Sequence, residues 1–284
     1  MRVLIIGGTG LTGPALARRL DADGHEVFVF AQGRTPVARD LPARLLAGDR
    51  GDPVALRAAF DAASPDAVLD QIAFHGGAVD AIAAFSPTRH IVCSSAAVLG
   101  EGLGLTEDAP TPPPHTPYLA GKLAVEERAR ASGAIVVRPA YLFGPGHAPL
   151  TMQGRDPELA RKIRGGEAIE LPDDGELPLQ PIFATDYAEA IANILALPDP
   201  APLYHIGGTP TTWRGWLEAV AAAAGAPLRV TRVPIDRLTA ENELFRDYLR
   251  HPLTIASRYL PAMPFTPLDA GAADLVAWLD GVKL

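Results

Sequence analysis

The sequence lacks several features that mark large classes of proteins. Its single cysteine, Cys93, excludes an intrachain disulfide bond, and its His, Cys, Asp and Glu residues show no metal-ligand spacing. No apolar run approaches the roughly 20 residues that a membrane-spanning helix needs, and the amino terminus carries no signal-peptide pattern. We therefore expect a cytoplasmic protein that binds neither a membrane nor a metal ion.

Basic charge is scarce as well. The 284 residues include 25 Lys and Arg against 33 Asp and Glu, which gives a formal net charge of −8. This balance disfavours nucleic acid as a partner. Hydrophobic residues make up 48% of the chain, so a large folded core is expected rather than disorder.

The most informative segment present is Val3–Leu20, which reads VLIIGGTGLTGPALARRL. An apolar run stops at glycines spaced as Gly8-x-Gly10-x-x-Gly13, and a helical pattern follows. A strand, a tight turn and a helix start in this order predict dinucleotide binding. Gly8 would permit the turn, Gly10 the approach of a pyrophosphate, and Gly13 close packing of the helix. The loop lacks the Lys-Ser/Thr ending of a P-loop.

Strand-like and helix-like segments alternate along most of the chain, which predicts right-handed βαβ units and a parallel sheet. The predicted strands are Val3–Ile6, Val27–Phe30, Ala43–Ala47, Ala67–Leu69, His90–Ser94, Ala134–Arg138 and Leu203–Ile206. The predicted helices are Pro14–Ala22, Pro53–Ala62, Gly77–Phe85, Pro117–Ala131, Pro157–Arg164, Tyr187–Leu195, Trp213–Ala224 and Asp269–Leu279. The fold class expected is α/β, a Rossmann-type doubly wound parallel sheet with a smaller, discontinuous carboxyl-terminal lobe.

The strict alternation loosens after Gly144 and resumes at Pro181. We therefore expect residues 1–143 and 181–207 to form a dinucleotide-binding domain. Residues 144–180 and 208–284 would form a substrate-binding lobe over the carboxyl edge of the sheet, where open α/β sheets bind ligands.

Polar residues suited to proton transfer follow the fifth predicted strand. Ser94 and Ser95 end that strand, and Tyr118 and Lys122 are four residues apart on one face of a predicted helix. A free tyrosine has a pKa near 10, too high for a base at neutral pH, and a nearby ammonium favours the phenolate. Taken alone, the pair favours the simpler interpretation of a half-buried aromatic residue beside a solvated lysine.

Taken together, these motifs resemble the extended short-chain dehydrogenases/reductases, the NAD-dependent epimerase/dehydratase family, over nearly the whole chain. The resemblance rests on the order of Gly7–Gly13, Ser94–Gly100, Tyr118-x-x-x-Lys122, Arg138–Gly146, Thr185–Ile191 and Tyr204–Gly208. It implies an NAD(P)-dependent epimerase, dehydratase or reductase that transfers hydride on a sugar nucleotide or a related hydroxyl or carbonyl compound. It also implies a homodimer.

The same resemblance assigns roles to individual residues. Tyr118 would be the acid/base, Lys122 its electrostatic partner, and Ser95 the donor to the reacting oxygen. Ser95 is preferred to Ser94 because it opens the Ser-Ala-x-Val-x-Gly pattern of the family. The implied cofactor contacts are Gly7, Gly10, Leu11, Thr12, Gly13, Gln32, Arg34, Asp49, Arg50, Ala73 and Lys122.

The end of the second predicted strand favours NADP(H). Family members that select NAD carry an acidic residue there, which binds the ribose hydroxyls. The matching residue is Ala31, and the nearby Arg34 could meet a 2′-phosphate instead. NAD(H) stays the alternative if Arg34 only faces solvent.

Other departures from the family pattern leave the substrate open. No Asn occurs in Pro139–Gly144, where family members that act on sugar nucleotides usually carry one. Leu99 replaces a Tyr of the family, and Asp70 replaces a His. These changes keep a second hypothesis open, an NADP(H)-binding regulatory or scaffold protein without catalysis.

Two further expectations concern polar side chains near the predicted site. His75 and His147 flank site loops, where either could touch the substrate, but each is expected to be a surface or hydrogen-bonded histidine. Asp186 heads a predicted helix and is expected to cap its amino terminus.

Overall fold

Seven mostly apolar strands form the parallel sheet at the centre of the protein. The computed structural model describes residues 1–34, 40–152, 154–172, 174–234 and 252–281. The sheet strands, numbered in chain order among all strands, are β1 (Arg2–Ile6), β2 (Glu26–Ala31), β3 (Arg44–Ala47), β4 (Ala67–Asp70), β5 (Arg89–Cys93), β7 (Ile135–Pro139) and β14 (Leu203–Ile206). They lie in the order β14-β7-β5-β4-β1-β2-β3, and every adjacent pair is parallel. The order runs in opposite directions on the two sides of the β1–β4 boundary, so the predicted doubly wound fold is confirmed.

Helices cover both faces of this sheet. The helices of the described ranges are α1 (Gly13–Ala22), α2 (Pro53–Ala63), α3 (Gly76–Ala83), α4 (Pro117–Ser132), α5 (Leu159–Arg164), α6 (Ala184–Ala196), α7 (Trp213–Ala224) and α8 (Leu268–Gly281). Alternate residues of β1 point to opposite faces. Val3 and Ile5 therefore pack with residues of α1 and α6, whereas Leu4 and Ile6 pack with residues of α2.

A second hydrophobic core is built from segments that follow β7 and β14. The short strands are β6 (Gly102–Leu105), β8 (Tyr141–Phe143), β9 (Leu150–Thr151), β10 (Gly154–Arg155), β11 (Ile169–Pro172), β12 (Pro178–Leu179), β13 (Pro181–Phe183), β15 (Thr211–Thr212), β16 (Val230–Val233) and β17 (Leu253–Ile255). They form five two-stranded sheets. Trp213 and Trp216 of α7 are buried in this core with Tyr141 and residues of α5 and α8. The division of the chain at residues 143, 180 and 207 into two domains stays a prediction.

Asp186 does not cap its helix, so that expectation is wrong. Helix α6 begins at Ala184, one turn earlier than the sequence pattern indicates, and this places Asp186 inside the first turn. Its carboxylate accepts hydrogen bonds from the backbone N–H of Thr266, at 2.8 Å, and from the hydroxyl of Thr266, at 2.6 Å. The side chain therefore ties α6 to the segment that precedes α8.

The described part of the chain contains no helix that combines the length and the apolar character of a membrane span. Across the same ranges, no three His, Cys, Asp or Glu residues are grouped so that they could bind a metal ion.

Candidate active site

The loop between β1 and α1 makes a different demand on each of its glycines. Gly7 has a φ of +79°, a left-handed conformation that favours glycine, so the turn depends on Gly7 rather than on Gly8. A Cβ atom on Gly13 would stand 2.0 Å from the carbonyl oxygen of Gly8, so close packing excludes a side chain there. A Cβ atom on Gly10 would meet nothing nearer than 3.8 Å. The fold itself therefore has room at Gly10, and its bare backbone leaves space for a ligand in front of the loop.

Two adjoining cavities open at the carboxyl ends of the strands. The cavity next to β2 has a volume of about 440 Å³, and the cavity next to β5 has a volume of about 270 Å³. Both are lined by Gly7, Gly10, Ile72 and Phe74, so they are two halves of one cleft. The first half also holds Gln32, Arg34, Asp49 and Arg50, and the second also holds Leu11, Thr12, Ser95, Tyr118 and Lys122.

In the first half of the cleft, Asp49 is held as a carboxylate. Its oxygens accept from the backbone N–H of Gly51, at 2.8 Å, and from the side-chain amide of Gln32, at 2.7 Å. These two hydrogen bonds lower the pKa of the Asp49 carboxyl. Ala31 ends β2 beside this group, and Arg34 lines the same half.

Arg50 lines the cleft, but its guanidinium is hydrogen-bonded to the end of β4. One nitrogen donates to both oxygens of Asp70, at 2.6 and 2.8 Å, and another donates to the carbonyl of Ala78, at 2.9 Å. Asp70 is fully buried and also accepts from the backbone N–H of Ile72. Asp70, which departs from the family pattern, therefore neutralises Arg50. A cofactor contact of Arg50 stays a prediction.

Lys122 is held between the ends of two strands. Only 2% of its surface is exposed, and its ammonium donates to the carbonyls of Cys93, at 2.8 Å, and Ala73, at 3.0 Å. Since an ammonium has three donors, one N–H remains for the cleft. Burial lowers the pKa of Lys122. The Ala73 side chain is buried and lines neither half, so its predicted cofactor contact stays a prediction.

The two serines that follow β5 differ in their hydrogen bonds. The Ser94 hydroxyl donates to the buried carboxylate of Glu126, at 2.6 Å. The Ser95 oxygen accepts from the backbone N–H of Ala97, at 3.2 Å, which leaves its proton for a group in the cleft. This difference agrees with the preference for Ser95 as the donor.

A buried ion pair lies beneath these groups. Arg138 donates to both oxygens of Glu126, at 2.9 and 2.6 Å, and both side chains are less than a tenth exposed. His205 packs against Arg138, with its Nε2 atom 3.4 Å from the guanidinium. Its Nδ1 atom lies 3.0 Å from the carbonyl of Leu105, an arrangement in which Nδ1 donates and Nε2 accepts from Arg138. The pair joins α4 to the ends of β5, β7 and β14.

Sequence reasoning missed several residues of the cleft. Gln71 accepts hydrogen bonds from Thr12 and Tyr187 beneath the glycine loop, and Phe74 lies at the junction of the two halves. Tyr141 stands in the segment where an Asn was expected from the family, and its hydroxyl accepts from the backbone N–H of Leu150, at 3.0 Å. No sequence motif points to Gln71 or Phe74. The absence of an Asn from Pro139–Gly144 had already drawn attention to the segment that contains Tyr141.

The two histidines differ in position. His147 lines the second half of the cleft together with Arg155. His75 is exposed and lines neither half.

A strand order that reverses beside β1, with a glycine loop at that point, defines a Rossmann-type dinucleotide-binding protein. A model of the NAD-dependent epimerase/dehydratase family matches residues 3–81 and 77–207, and the chain belongs to this family. The expectation drawn from the motifs is therefore confirmed.

Known proteins similar to this chain have different activities. A 2′-dehydrokanamycin reductase from Streptomyces kanamyceticus is 32% identical over 253 residues, which cover 83% of this chain and 70% of that protein. A chloroplast stem-loop binding protein of 41 kDa from Arabidopsis thaliana is 29% identical over 80% of this chain and 64% of that protein, so the match spans less than two thirds of its length. The structure of the Thermus thermophilus UDP-glucose 4-epimerase has a TM-score of 0.75 at 23% identity, with both chains fully covered.

Proposed function

We propose that this protein is an NADP(H)-dependent reductase that converts a carbonyl compound to the alcohol, or catalyses the reverse oxidation. The observation that carries the proposal is the meeting of Ser95, Tyr118 and Lys122 in one cavity. That cavity continues into the one formed by the glycine loop. A dinucleotide that follows the cleft would bring its nicotinamide end to these three side chains.

Bound NADPH would supply a hydride to the carbonyl carbon. Tyr118 would give its phenolic proton to the carbonyl oxygen, and the Ser95 hydroxyl would hold that oxygen by a hydrogen bond. The ammonium of Lys122 lies 5.8 Å from the centre of the Tyr118 ring, and its positive charge favours the phenolate that remains. Its remaining N–H would hold a ribose hydroxyl of the cofactor.

Reduction is favoured over sugar-nucleotide epimerisation by the environment of Tyr141. Its ring packs against Trp213 and Trp216, with centroids 5.6 and 5.7 Å away, and it presents no amide to the cleft. The Pro139–Gly144 segment therefore lacks the Asn with which family members contact a diphosphate. The similarity to a reductase that is 32% identical points the same way. A nucleotide sugar stays the alternative substrate, in an epimerase that retains its cofactor.

The test is a panel of small carbonyl compounds and nucleotide sugars, followed by nicotinamide absorbance and product analysis. We expect NADPH consumption with a carbonyl compound, and loss of about three orders of magnitude in kcat in Tyr118→Phe, with cofactor affinity within a few fold of the wild type. Tyr259→Phe is the matched control, because Tyr259 is exposed and lines neither half of the cleft. Full activity of Tyr118→Phe would refute the proposed mechanism.

A second candidate function is binding without catalysis. The similarity to a stem-loop binding protein and the absence of the family's Asn favour it. The net charge of −8 disfavours RNA as the ligand. Failure of every compound in the panel, with NADPH demonstrably bound, would support this second function over the first.

A further inference from the structure

We propose that Phe74 is a positioning residue for Lys122, and that the face of its ring holds the ammonium in place by a cation–π interaction. Phe74 lies in the loop after β4 and lines both halves of the cleft. The inference rests on the proposed function only for what Lys122 does once it is held.

The geometry around the Lys122 ammonium carries this inference. Its Nζ atom lies 4.8 Å from the centre of the Phe74 ring, within the roughly 6 Å over which a ring face attracts a cation. The carbonyls of Ala73 and Cys93 contact the same nitrogen. Phe74 itself is 55% exposed, although large apolar side chains are usually buried. Its ring therefore covers a buried charge rather than filling the hydrophobic core.

The charged groups around Lys122 explain why a ring face matters there. Both oxygens of Asp70, on β4, accept hydrogen bonds from Arg50. Both oxygens of Glu126, on α4, accept hydrogen bonds from Arg138. Among the ion pairs of the described residues, Lys122 has no carboxylate of its own. The other titratable groups that face it are the Cys93 thiol on β5 and the Tyr118 phenol on α4. Two carbonyls and two ring faces thus replace a counter-ion.

Gly121 makes this arrangement sterically feasible. A Cβ atom at this position would stand 2.2 Å from the carbonyl oxygen of Phe74, a distance that no side chain tolerates. The glycine therefore lets α4 approach the loop after β4 closely. That approach brings the next residue, Lys122, over the Phe74 ring.

The experiment exploits the scarcity of lysine, since the chain has three lysines, Lys122, Lys162 and Lys283. Lysine labelled with ¹³C at Cε would give three signals in the apo protein, and Lys162→Arg and Lys283→Arg variants would assign them. Phe74 is then replaced by phenylalanines with one, two and three ring fluorines. These analogues keep the shape of the ring but weaken the negative potential of its face. Substitution by leucine is less informative, because water admitted to the site would raise the pKa of Lys122 while the lost ring would lower it.

We expect the pKa of Lys122 to fall stepwise with each fluorine, by about 0.5 to 1 pH unit over the series. As the pH is raised, the affinity for NADPH should then begin to fall at a correspondingly lower pH, because Lys122 loses its charge earlier. Fluorination of Phe85 is the matched control, because its ring also faces a cation, Arg57 at 4.4 Å, but lies outside the cleft. This control should leave the Lys122 signal unchanged.

A pKa of Lys122 that stays constant along the Phe74 series would overturn the inference, and so would an equal shift in the Phe85 series. The lysine titration uses neither cofactor nor substrate. A stepwise shift in a protein that reduces no carbonyl compound would support the role of Phe74 and refute only the proposed reaction. A constant pKa in an active reductase would do the opposite.

Discussion

Single residues of the same type have different roles in this protein because their surroundings differ. Arg50 and Arg34 both line the first half of the cleft, yet Arg50 is neutralised by the buried Asp70. Arg34 follows β2, at the point where the family's NAD-selective acidic residue is replaced by Ala31. The preference for NADP(H) therefore depends on Arg34 and stays a prediction.

Arg34→Ala should weaken NADPH binding by about tenfold and leave NADH binding within about twofold, because a charge-assisted hydrogen bond to the 2′-phosphate is lost. Fluorescence titration with each cofactor measures both constants. Arg44→Ala is the control, since Arg44 is exposed on β3 and lines neither half of the cleft. Tighter binding of NADH than of NADPH by the wild type would contradict the preference.

His90 gives the fold a dependence on pH. It is 7% exposed, neither ring nitrogen has a hydrogen-bond partner in the described structure, and burial lowers its pKa to about 4. In the unfolded chain the pKa of this histidine is about 6.5. Stability contributed by the neutral ring is therefore complete above pH 6.5 and is lost as the pH falls towards 4, by about 3 kcal/mol in total.

His90→Leu should remove this share of the acid destabilisation. Urea unfolding between pH 7 and pH 4 measures it as a shallower loss of the free energy of unfolding than in the wild type. The exposed His75, changed to Leu, should keep the wild-type slope. An identical slope in His90→Leu and in the wild type would show that His90 does not resist protonation.

At the scale of elements, helix α4 brings two of the three candidate catalytic side chains to the second half of the cleft. These are Tyr118 and Lys122, and one turn further on the same helix carries Glu126, which is buried beneath the cleft. The Glu126–Arg138 pair fixes this helix against β7, and the pair is buried on both sides. Removing one partner of a buried pair leaves an unneutralised charge, which costs more than the pair itself contributes.

Glu126→Gln should accordingly lower the free energy of unfolding by about 3 kcal/mol, measured by chemical denaturation. A suitable control is Asp80→Asn, which removes the ion pair with Arg128 between α3 and α4. That pair is about half exposed on both sides, so its loss should cost less than about 1 kcal/mol. Equal effects of the two substitutions would mean that burial does not set the strength of the Glu126–Arg138 pair.

The elements also show what a single sequence can predict. The sheet strands and the longer helices follow from apolar runs and helical periodicity, and their ends agree to within about three residues. The parallel pairing of β6 with β17 was not foreseen. The two strands lie about 150 residues apart in the chain, and β6 contains two glycines. Pro181–Phe183 was expected to continue the alternation, but it pairs with β8 outside the main sheet.

The candidate site divides in the same way. Ser95, Tyr118 and Lys122 could be named because their spacing forms a pattern, and the structure brings them to one cavity. Phe74 and Gln71 could not, because their positions depend on how the loop after β4 meets α4 and the glycine loop. The roles of all these residues stay predictions.

At the scale of the whole molecule, cofactor binding should stabilise the fold, since a ligand that binds only the folded state raises its stability by mass action. At 100 times its Kd, NADPH should add about 2.7 kcal/mol. Gly10→Ala separates this effect from folding. The loop has room for a Cβ atom at this position, but that atom would occupy the space that a bound pyrophosphate needs.

Thermal unfolding of Gly10→Ala should therefore match the wild type without cofactor and should lose most of the NADPH-induced rise in Tm. Gly13→Ala should instead lower Tm in the absence of cofactor, because its Cβ atom would collide with the backbone of Gly8. A full NADPH-induced rise in Gly10→Ala would show that the cofactor does not approach the loop there.

The order of the strands along the chain has a consequence for biosynthesis. All seven strands of the main sheet lie within Arg2–Ile206, whereas β17, which pairs with β6, is translated about 50 residues later. Domains generally fold as units during synthesis, and those nearer the amino terminus fold first. The described residues that line the cleft all lie within residues 6–155, so translation supplies its walls about 100 residues before it supplies β17.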